Sequence, residues 1–223
     1  MKVTIIYDNE KCREDLKADW GFACLVEAYG LRILFDTGAD GSVLLENMNQ
    51  LDIDPRTVNE VFISHVHFDH TGGLFDFLDV CNARVYIPSC ISVPEFRGEF
   101  VTIRDPVEIH ENIFSTGELD SFEQSLVVRI KDGLAVIVGC SHPGIEPILK
   151  RASRWGKVKA LLGGFHGFNE FHLLEDLVVF CPAHCTQYKR EIKGLFPSKT
   201  IEGGVGRLIE IEDWNIKPGT RMR

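Results

Sequence analysis

Short apolar runs rich in β-branched residues recur along the chain, and this pattern predicts a protein built mainly of strands. The predicted strands are Val3–Tyr7, Ala23–Glu27, Arg32–Phe35, Val61–Ser64, Arg84–Ile87, Leu126–Ile130, Leu134–Val138, Lys159–Leu162, Leu177–Phe180 and Gly206–Ile211. An Asp-Gly pair at residues 132 and 133, between two apolar runs, is typical of a hairpin turn. The predicted helices are fewer: Gly41–Leu51, Leu74–Leu78, Ile145–Trp155, Glu170–Glu175 and Gln187–Leu195.

The order of these elements predicts two β-rich halves covered by helices. One set of strands ends before residue 65, and a second set begins at Leu126 with helical segments after its strands. This arrangement favours a layered α/β sandwich of the α+β type over a doubly wound parallel sheet. No tract rich in Gly, Ser or Pro separates the halves, so we expect a single domain over residues 1–223.

The charge balance narrows the class of partner. The chain has a net charge of −9 at pH 7 and an isoelectric point near 5.4. Extended duplex nucleic acid is normally bound by a basic face, so this balance argues against it. A small anionic substrate held by metal and a few local cations stays compatible with the composition. We therefore expect a small-molecule substrate and no nucleic acid partner, and the sequence gives no signal for the oligomeric state.

The cysteines and the first residues bear on location. Seven scattered cysteines, an odd number, fit reduced thiols better than a disulfide framework. The segment from Met1 to Asp8 reaches an acidic residue after a short apolar run, which indicates a first strand and not a signal peptide. No later apolar run has the length of a membrane span. These features predict a cytoplasmic protein without membrane association.

The densest chemistry of the chain is the segment HVHFDH at residues 65–70, between an apolar strand and a Gly-Gly pair. Neutral His and ionised Asp are preferred ligands of zinc, manganese and ferrous iron. His65 and His67 are two residues apart, so in an extended chain both project to one side and can bind one ion. Asp69 and His70 follow at the turn and can face a second ion. Histidines that merely cap strands are the alternative, but they would not explain such a cluster in this position.

Four further features follow predicted strands, in loops where functional groups are common. Asp36 can orient a metal-bound histidine, or it can cap a turn or helix. His142 lies between a strand and a helix, and His184 follows an apolar strand. His166 is flanked by glycines, which let backbone and ligand approach closely.

Other polar residues carry weaker signals. Arg207, after a glycine-rich segment, is a candidate contact for an anionic substrate. The basic residues of 150–159 are interpreted as the solvated face of a helix. His110 and His172 have no comparable setting and are assigned to the surface or to packing.

In order, these motifs resemble those of the metallo-β-lactamase superfamily. The motifs are DTG at 36–38, HVHFDH at 65–70, SH at 141–142, GGFH at 163–166 and PAHCT at 182–186. GCSHPGI at 139–145 together with GGFH resembles, more narrowly, the dihydropteroate-synthase-like subgroup named after the dihydropterin–ribofuranosylaminobenzene phosphate synthases. The similarity extends from Ile5 to Arg207, nearly the whole chain.

The resemblance implies a four-layer αββα sandwich with a metal site at the open edge between its two sheets. It also implies two divalent ions, taken as zinc, with iron or manganese as alternatives. The implied ligands are His65, His67 and His142 for the first ion and Asp69, His70 and His184 for the second. Asp36 would not bind a metal ion itself but would orient the residues that do.

One departure from the superfamily pattern concerns the carboxylate that bridges the two ions. Superfamily hydrolases usually carry a His in a Gly-His-Thr-like segment and then a bridging Asp after the next strand. Here these places hold TGE at 116–118 and Gly139-Cys140. We therefore expect the bridging Asp to be missing and His142 to take over one of these ligand roles. For Cys140, the pattern favours a buried structural thiol over a thiol close to the metals.

The leading functional hypothesis is a metal-dependent hydrolase that acts on a small phosphoester, ester or lactone through a metal-activated water. Asp69 would orient this water or accept its proton. His166 would contact the substrate or protonate a leaving group, with metal ligation as its alternative role. The first alternative function is a synthase of the 7,8-dihydropterin-6-methyl-ribofuranosylaminobenzene phosphate type, which joins a pterin diphosphate to an arylamine. The second is a non-catalytic metal-binding sensor.

Overall fold

Two mixed β-sheets form the centre of the protein in a computed structural model that describes residues 1–91 and 98–211. Its strands are β1 (Lys2–Tyr7), β2 (Ala23–Ala28), β3 (Leu31–Phe35), β4 (Glu60–Phe62), β5 (Arg84–Pro88), β6 (Phe100–Ile103), β7 (Val107–His110), β8 (Ile113–Ser115), β9 (Leu126–Ile130), β10 (Gly133–Val138), β11 (Val158–Gly164), β12 (Val179–Ala183) and β13 (Leu208–Glu210). The strand order is β13-β1-β2-β3-β4-β5-β6 in one sheet and β12-β11-β10-β9-β8-β7 in the other. The helices are α1 (Gly41–Gln50), α2 (Phe68–Thr71), α3 (Leu74–Val80), α4 (Ile145–Ala152) and α5 (Lys189–Leu195).

Alternation along the strands explains why the sheets pack face to face. In β1, Val3 and Ile5 join the core between the sheets, whereas Ile6 packs with residues of α1 and α3. In β10, Ile137 joins the same central core, whereas Val136 packs with α4 on the other face. Each such buried side chain contributes about 1.5–3 kcal/mol of transfer free energy. The layers are therefore helix, sheet, sheet and helix, and the predicted αββα sandwich is confirmed.

The predicted strands are all present, with shifted ends, and the hairpin predicted at residues 132 and 133 joins β9 to β10 in antiparallel pairing. Sequence analysis missed β6, β7 and β8. β6 and β7 are the outer strands of their sheets, and their side chains are largely half-buried or exposed. β8 has only three residues. Such strands lack the continuous apolar run that marks a central strand.

Two helix predictions need correction. Glu170–Glu175 is not an α-helix, because Phe171–Leu174 forms a single 3₁₀ turn, and a segment this short gains few helical hydrogen bonds. The helix predicted at Ile145–Trp155 is α-helical only to Ala152 and ends in a 3₁₀ turn. The short helix α2, within the HVHFDH segment, was not predicted.

Parallel pairing brings several strand ends to one edge of the sandwich. β3 and β4 run parallel in the first sheet, and β10, β11 and β12 run parallel in the second. Residues that follow the carboxyl ends of parallel strands gather at one edge. The candidate site residues that follow these strands are Asp36, His65, His142, His166 and His184.

Three sequence expectations concern the chain as a whole. The single-domain prediction covers residues 1–223, of which 92–97 and 212–223 lie outside the described residues, and it stays a prediction. Within residues 1–91 and 98–211, the helices are too short or too polar to cross a membrane. All seven cysteines lie in these ranges, and each is a free thiol.

Candidate metal centre

Three candidate site residues adopt left-handed backbone conformations just after strands. Asp36, His166 and His184 have φ values of 55°, 46° and 46°. Residues other than glycine rarely adopt such values, at a cost on the order of 1–3 kcal/mol. The sharp turns direct the chain along the edge where the two sheets meet. Strain at three residues of one site indicates that their placement is maintained by the surrounding structure.

The first cluster joins His65, His67 and His142. His65 Nε2 lies 3.1 Å from His67 Nδ1. The centroid of the His142 ring is 5.0 Å from that of His65 and 4.9 Å from that of His67. His142 Nε2 is buried and has no hydrogen-bond partner among the described residues. Three histidine rings therefore lie close together, and ring nitrogens of His65 and His142 lie within 4.8 Å of each other, where one ion can bind.

The environment of the first cluster keeps its histidines neutral. Burial, and then the neighbouring imidazoles, hold the pKa of His65 far below its ordinary value. The same causes lower the pKa of His142 to about 4. Both rings are therefore neutral at pH 7, which is the form that binds a metal ion.

We expect the metal content of the first cluster to fall only when the pH falls through about 4. A metal ion and a proton compete for His142 Nε2, and the low pKa leaves this nitrogen unprotonated at higher pH. Elemental analysis of protein dialysed at a series of pH values measures this. The His172→Ala variant, changed outside both clusters, is the control. Loss of both ions at a pH of about 6.5, the ordinary pKa of histidine, would contradict the assignment.

The second cluster brings together Asp69, His70 and His184. Asp69 Oδ2 lies 3.3 Å from His184 Nε2 and 3.9 Å from His70 Nε2. His184 is only 3% exposed, and its Nε2 makes no hydrogen bond to a described residue. Burial raises the pKa of Asp69, but the neighbouring imidazoles outweigh it and lower this pKa to about 2. An ionised carboxylate beside two imidazoles suits a second divalent ion.

Asp36 orients a histidine of each cluster through hydrogen bonds, directly for His70 and through Ser64 for His65. Its Oδ2 accepts hydrogen bonds from His70 Nδ1 and Ser64 Oγ, both at 2.7 Å, and its Oδ1 accepts one from the Ser64 amide at 2.7 Å. Because the Ser64 hydroxyl donates to Asp36, its oxygen accepts a hydrogen bond from His65 Nδ1 at 2.9 Å. This network places protons on Nδ1 of His65 and His70 and turns Nε2 of each toward the site.

The charge of Asp36 also affects the protonation of His70. Burial lowers the pKa of His70, but the Asp36 carboxylate outweighs burial, so the pKa is raised above its ordinary value. A metal ion at Nε2 would therefore displace a proton to solvent.

We expect Asp36→Asn to weaken metal binding by about 10–100-fold, the usual effect of losing a partner of a metal-binding histidine. The asparagine NH₂ group is a hydrogen-bond donor and would face a group that now donates to Asp36. At least one of the three hydrogen bonds that Asp36 accepts would therefore be lost. Titration against a chromophoric chelator measures the change. Asp132→Asn is a matched control, because it lies in the β9–β10 turn, where Asn-Gly is as suitable as Asp-Gly. An affinity equal to that of the unmodified protein would contradict this role.

Asp8 and Asn9, which follow β1, position His184, and sequence analysis missed both. His184 Nδ1 donates to Asn9 Oδ1 at 2.9 Å, and Asn9 Nδ2 donates to the His184 carbonyl at 3.3 Å. The buried Asp8 accepts hydrogen bonds from the amides of His184 and Gly204, at 3.2 and 3.1 Å. The sequence signal was only an Asp-Asn pair after a strand, which is also common in ordinary turns.

Glu123 is a further residue that sequence analysis missed. Its buried carboxylate accepts hydrogen bonds from the four consecutive amides of residues 139–142, at 2.8–3.2 Å. Burial raises the pKa of Glu123, and these amides oppose the shift. The contacts fix the loop that carries Cys140 and His142. A single glutamate in a loop carries no motif that could have predicted this role.

Cys140 lies between the two clusters. The sequence favoured a buried structural thiol, and the side chain is indeed buried, but its Sγ lies 3.2 Å from His70 Nε2. A hydrogen bond with the Cys185 thiol, together with burial, raises the pKa of Cys140. Cys140 belongs to two groups of possible ligand atoms, and within each group all these atoms lie within 4.8 Å of one another. The first group is His65, Cys140 and His142, and the second is His70, Cys140 and His184.

The structure also locates the two candidate substrate contacts. His166 is exposed, and its ring centroid lies 5.1 Å from that of His142. Arg207 lines a cleft of about 900 Å³ that also contains His184. The Arg207 Nε donates to the Glu202 carbonyl at 2.8 Å, so part of this guanidinium is already engaged.

Two other polar residues bind partners that belong to neither cluster. Glu118, where superfamily hydrolases place the segment with a ligand histidine, accepts hydrogen bonds from Ser89 Oγ at 2.8 Å and the Cys90 amide at 2.7 Å. His110 Nε2 lies 2.7 Å from Glu60 Oε1, which agrees with its assignment to packing.

The residues at this edge fit divalent metal ions. Five imidazoles, one carboxylate and one thiol converge, which is a donor set suited to zinc and related ions. The buried Nε2 atoms of His142 and His184, one in each cluster, lack hydrogen-bond partners among the described residues. Buried polar atoms seldom stay without a hydrogen bond, so both nitrogens are available to bind an ion.

Two facing mixed sheets with this ligand-rich edge define a metal-dependent hydrolase fold. The chain belongs to the metallo-beta-lactamase superfamily, whose family description it matches over residues 21–149. Members of this superfamily are generally enzymes and typically bind divalent metals.

Individual relatives agree with this assignment. A 7,8-dihydropterin-6-methyl-4-(beta-D-ribofuranosyl)-aminobenzene-5'-phosphate synthase of Methanocaldococcus jannaschii is 31% identical, over 76% of this chain and 81% of the relative, and supports the predicted subgroup. Tm1679, described as a metal-dependent hydrolase of the beta-lactamase superfamily, has a sequence that is 27% identical to this chain. Its crystal structure superimposes with a TM-score of 0.76, over 96% of this chain and 100% of that one. Human tRNase Z, short form, is 15% identical with a TM-score of 0.63 and coverages of 95% and 99%, which shows similarity of fold alone.

Proposed function

We propose that this protein is a hydrolase that uses two divalent ions to act on a small phosphoester, ester or lactone. The observation that carries the proposal is that one buried nitrogen in each cluster, His142 Nε2 and His184 Nε2, makes no hydrogen bond to a described residue. We propose zinc as the metal, with iron or manganese as alternatives, because all three accept imidazole and carboxylate ligands. The similarity to Tm1679, described as a metal-dependent hydrolase, supports the reaction class.

Residues of the chain would divide the catalytic work around the ions. When bound, the ions supply Lewis acidity and lower the pKa of water at the site. Asp69 would orient the attacking water by accepting a hydrogen bond at Oδ2, since a pKa of about 2 makes this carboxylate a weak proton acceptor. The exposed His166, beside His142, would contact the substrate and give a proton to the leaving group.

The surroundings of the clusters suit a substrate with both an apolar part and an anionic part. Phe122 packs its ring 5.1 Å from those of His67 and His142. Trp20 is 54% exposed, with its ring 5.3 Å from that of His184. Planar rings at these positions can stack on an apolar group, while Arg207 in the adjoining cleft can pair with an anion.

A hydrolysis panel tests this proposal. Protein loaded with zinc, iron or manganese would be assayed with phosphomonoesters, phosphodiesters, carboxylic esters and lactones. We expect metal-dependent turnover of at least one class, abolished by a chelator and restored when the metal is returned. Absence of turnover across the whole panel with two ions bound would contradict a hydrolase and favour a sensor.

The synthase is a second candidate, favoured by the 31% identity to the methanogen enzyme. In that reaction the same site would stabilise a departing diphosphate instead of orienting water. Incubation of metal-loaded protein with a pterin diphosphate and an arylamine separates the two functions. Diphosphate release that requires the arylamine would establish the synthase, whereas release without it would support the hydrolase.

A further inference from the structure

The thiol of Cys140 occupies a position shared by both metal clusters. Its Sγ belongs to one group of ligand atoms with His65 and His142, and to another with His70 and His184. In each group all ligand atoms lie within 4.8 Å of one another. The other buried thiols differ: Cys24 and Cys181, for example, lie in the apolar core between the sheets.

A second observation points to a ligand at this position. His184 is 97% buried, and its Nε2, which shares a group with Cys140 Sγ, makes no hydrogen bond to a described residue. His142 Nε2, in the other group, is likewise buried and unpartnered. Each of the two groups that contain the thiol therefore also contains a buried histidine nitrogen that makes no hydrogen bond to a described residue, as we expect where two ions share the sulfur.

The backbone around Cys140 is constrained to hold the thiol there. Glu123 accepts four hydrogen bonds from residues 139–142, which include the Cys140 amide at 3.0 Å. A Cβ on Gly139 would lie 2.2 Å from Ser64 Oγ, and one on Gly164 would lie 2.4 Å from the Gly139 carbonyl oxygen. These contacts require glycine at both positions and let the loop approach the histidines closely.

We infer that Cys140 binds metal as a thiolate shared by the two ions, in the place of the bridging carboxylate that the sequence lacks. On binding, the S–H bond breaks, the proton passes to solvent, and sulfur lone pairs form the bonds to the metal. No oxidant or reductant is needed. Divalent ions deprotonate coordinated thiols, so the raised pKa of the free thiol does not prevent binding.

Cobalt substitution tests this inference without measuring activity. Cobalt(II) bound to a thiolate gives an intense charge-transfer absorption in the near ultraviolet, which imidazole and carboxylate ligands do not give. We expect cobalt-loaded protein to show this band and Cys140→Ser to lack it, while Cys185→Ser, which changes the neighbouring thiol, retains it. Persistence of the band in Cys140→Ser, or its loss in Cys185→Ser alone, would overturn the inference.

A second variant keeps the test decisive if Cys140→Ser fails to fold. Cys140→Asp supplies a carboxylate at the same position, and we expect it to bind two cobalt ions without the charge-transfer band. The inference rests on the proposed metal site but not on hydrolysis. Folded protein that takes up no cobalt would refute the metal site, whereas cobalt uptake by the unmodified protein without the band would refute only the role of Cys140.

Discussion

Replacement of Asp69 by asparagine is expected to lower kcat by about 10²-fold or more, because the attacking water and the second ion would no longer be held in place. The Asp69 carboxylate lies 3.3 Å from His184 Nε2 and is ionised at neutral pH, with a pKa of about 2. Asparagine keeps the shape but removes the charge, so both the hold on the second ion and the orientation of water are weakened. The measurement is kcat for the best substrate of the hydrolysis panel.

A matched variant separates this effect from a general loss of charge. Asp79→Asn changes an exposed carboxylate on α3, and we expect it to retain the activity of the unmodified protein. If Asp69→Asn were as active as Asp79→Asn, then Asp69 would have no part in the reaction.

Replacement of Glu123 by glutamine is expected to destabilise the fold by about 2–4 kcal/mol, because one buried amide loses its acceptor and the others lose a charged one. The carboxylate accepts hydrogen bonds from four backbone N–H groups. In glutamine, an NH₂ group would replace the oxygen that now accepts from the His142 N–H, so two donors would face each other. Since a typical domain is stable by only about 5–15 kcal/mol, this loss is large. Urea denaturation of both proteins measures the free energy of unfolding.

The same variant should also bind metal more weakly, because Cys140 and His142 lie on the loop that Glu123 holds. Glu111→Gln, at an exposed position, is the control and should change neither property. Equal stability of Glu123→Gln and the control would show that the four amides find other partners and that Glu123 does not organise the loop.

The part of the site predicted most directly from sequence is the part that is local in sequence. His65, His67, Asp69 and His70 lie within six residues after one strand, so they are close in space because they are close in the chain. His142 and His184 lie on the other sheet. Their place beside this segment depends on how two sheets pack, which no local pattern specifies, and only the resemblance to a family supplied it.

The residues that escaped prediction act through the backbone or from a distance in sequence. Glu123 binds amides, and Asn9 orients a histidine 175 residues away. Neither forms a motif. Cys140 was assigned to a structural role because buried thiols are usually inert, and its position between two histidine groups emerges only from the folded chain. In the fold, the outer strands were missed for the related reason that half-exposed strands have weak apolar patterns.

The metal content per chain, measured on protein purified without added metal or chelator, decides whether this edge of the sandwich holds two ions. Elemental analysis set against protein concentration gives the number of ions per chain. We expect close to two ions of zinc, iron or manganese, because two groups of ligand atoms share Cys140 and each contains a buried histidine nitrogen that makes no hydrogen bond to a described residue. One ion or fewer per chain would contradict a centre built for two.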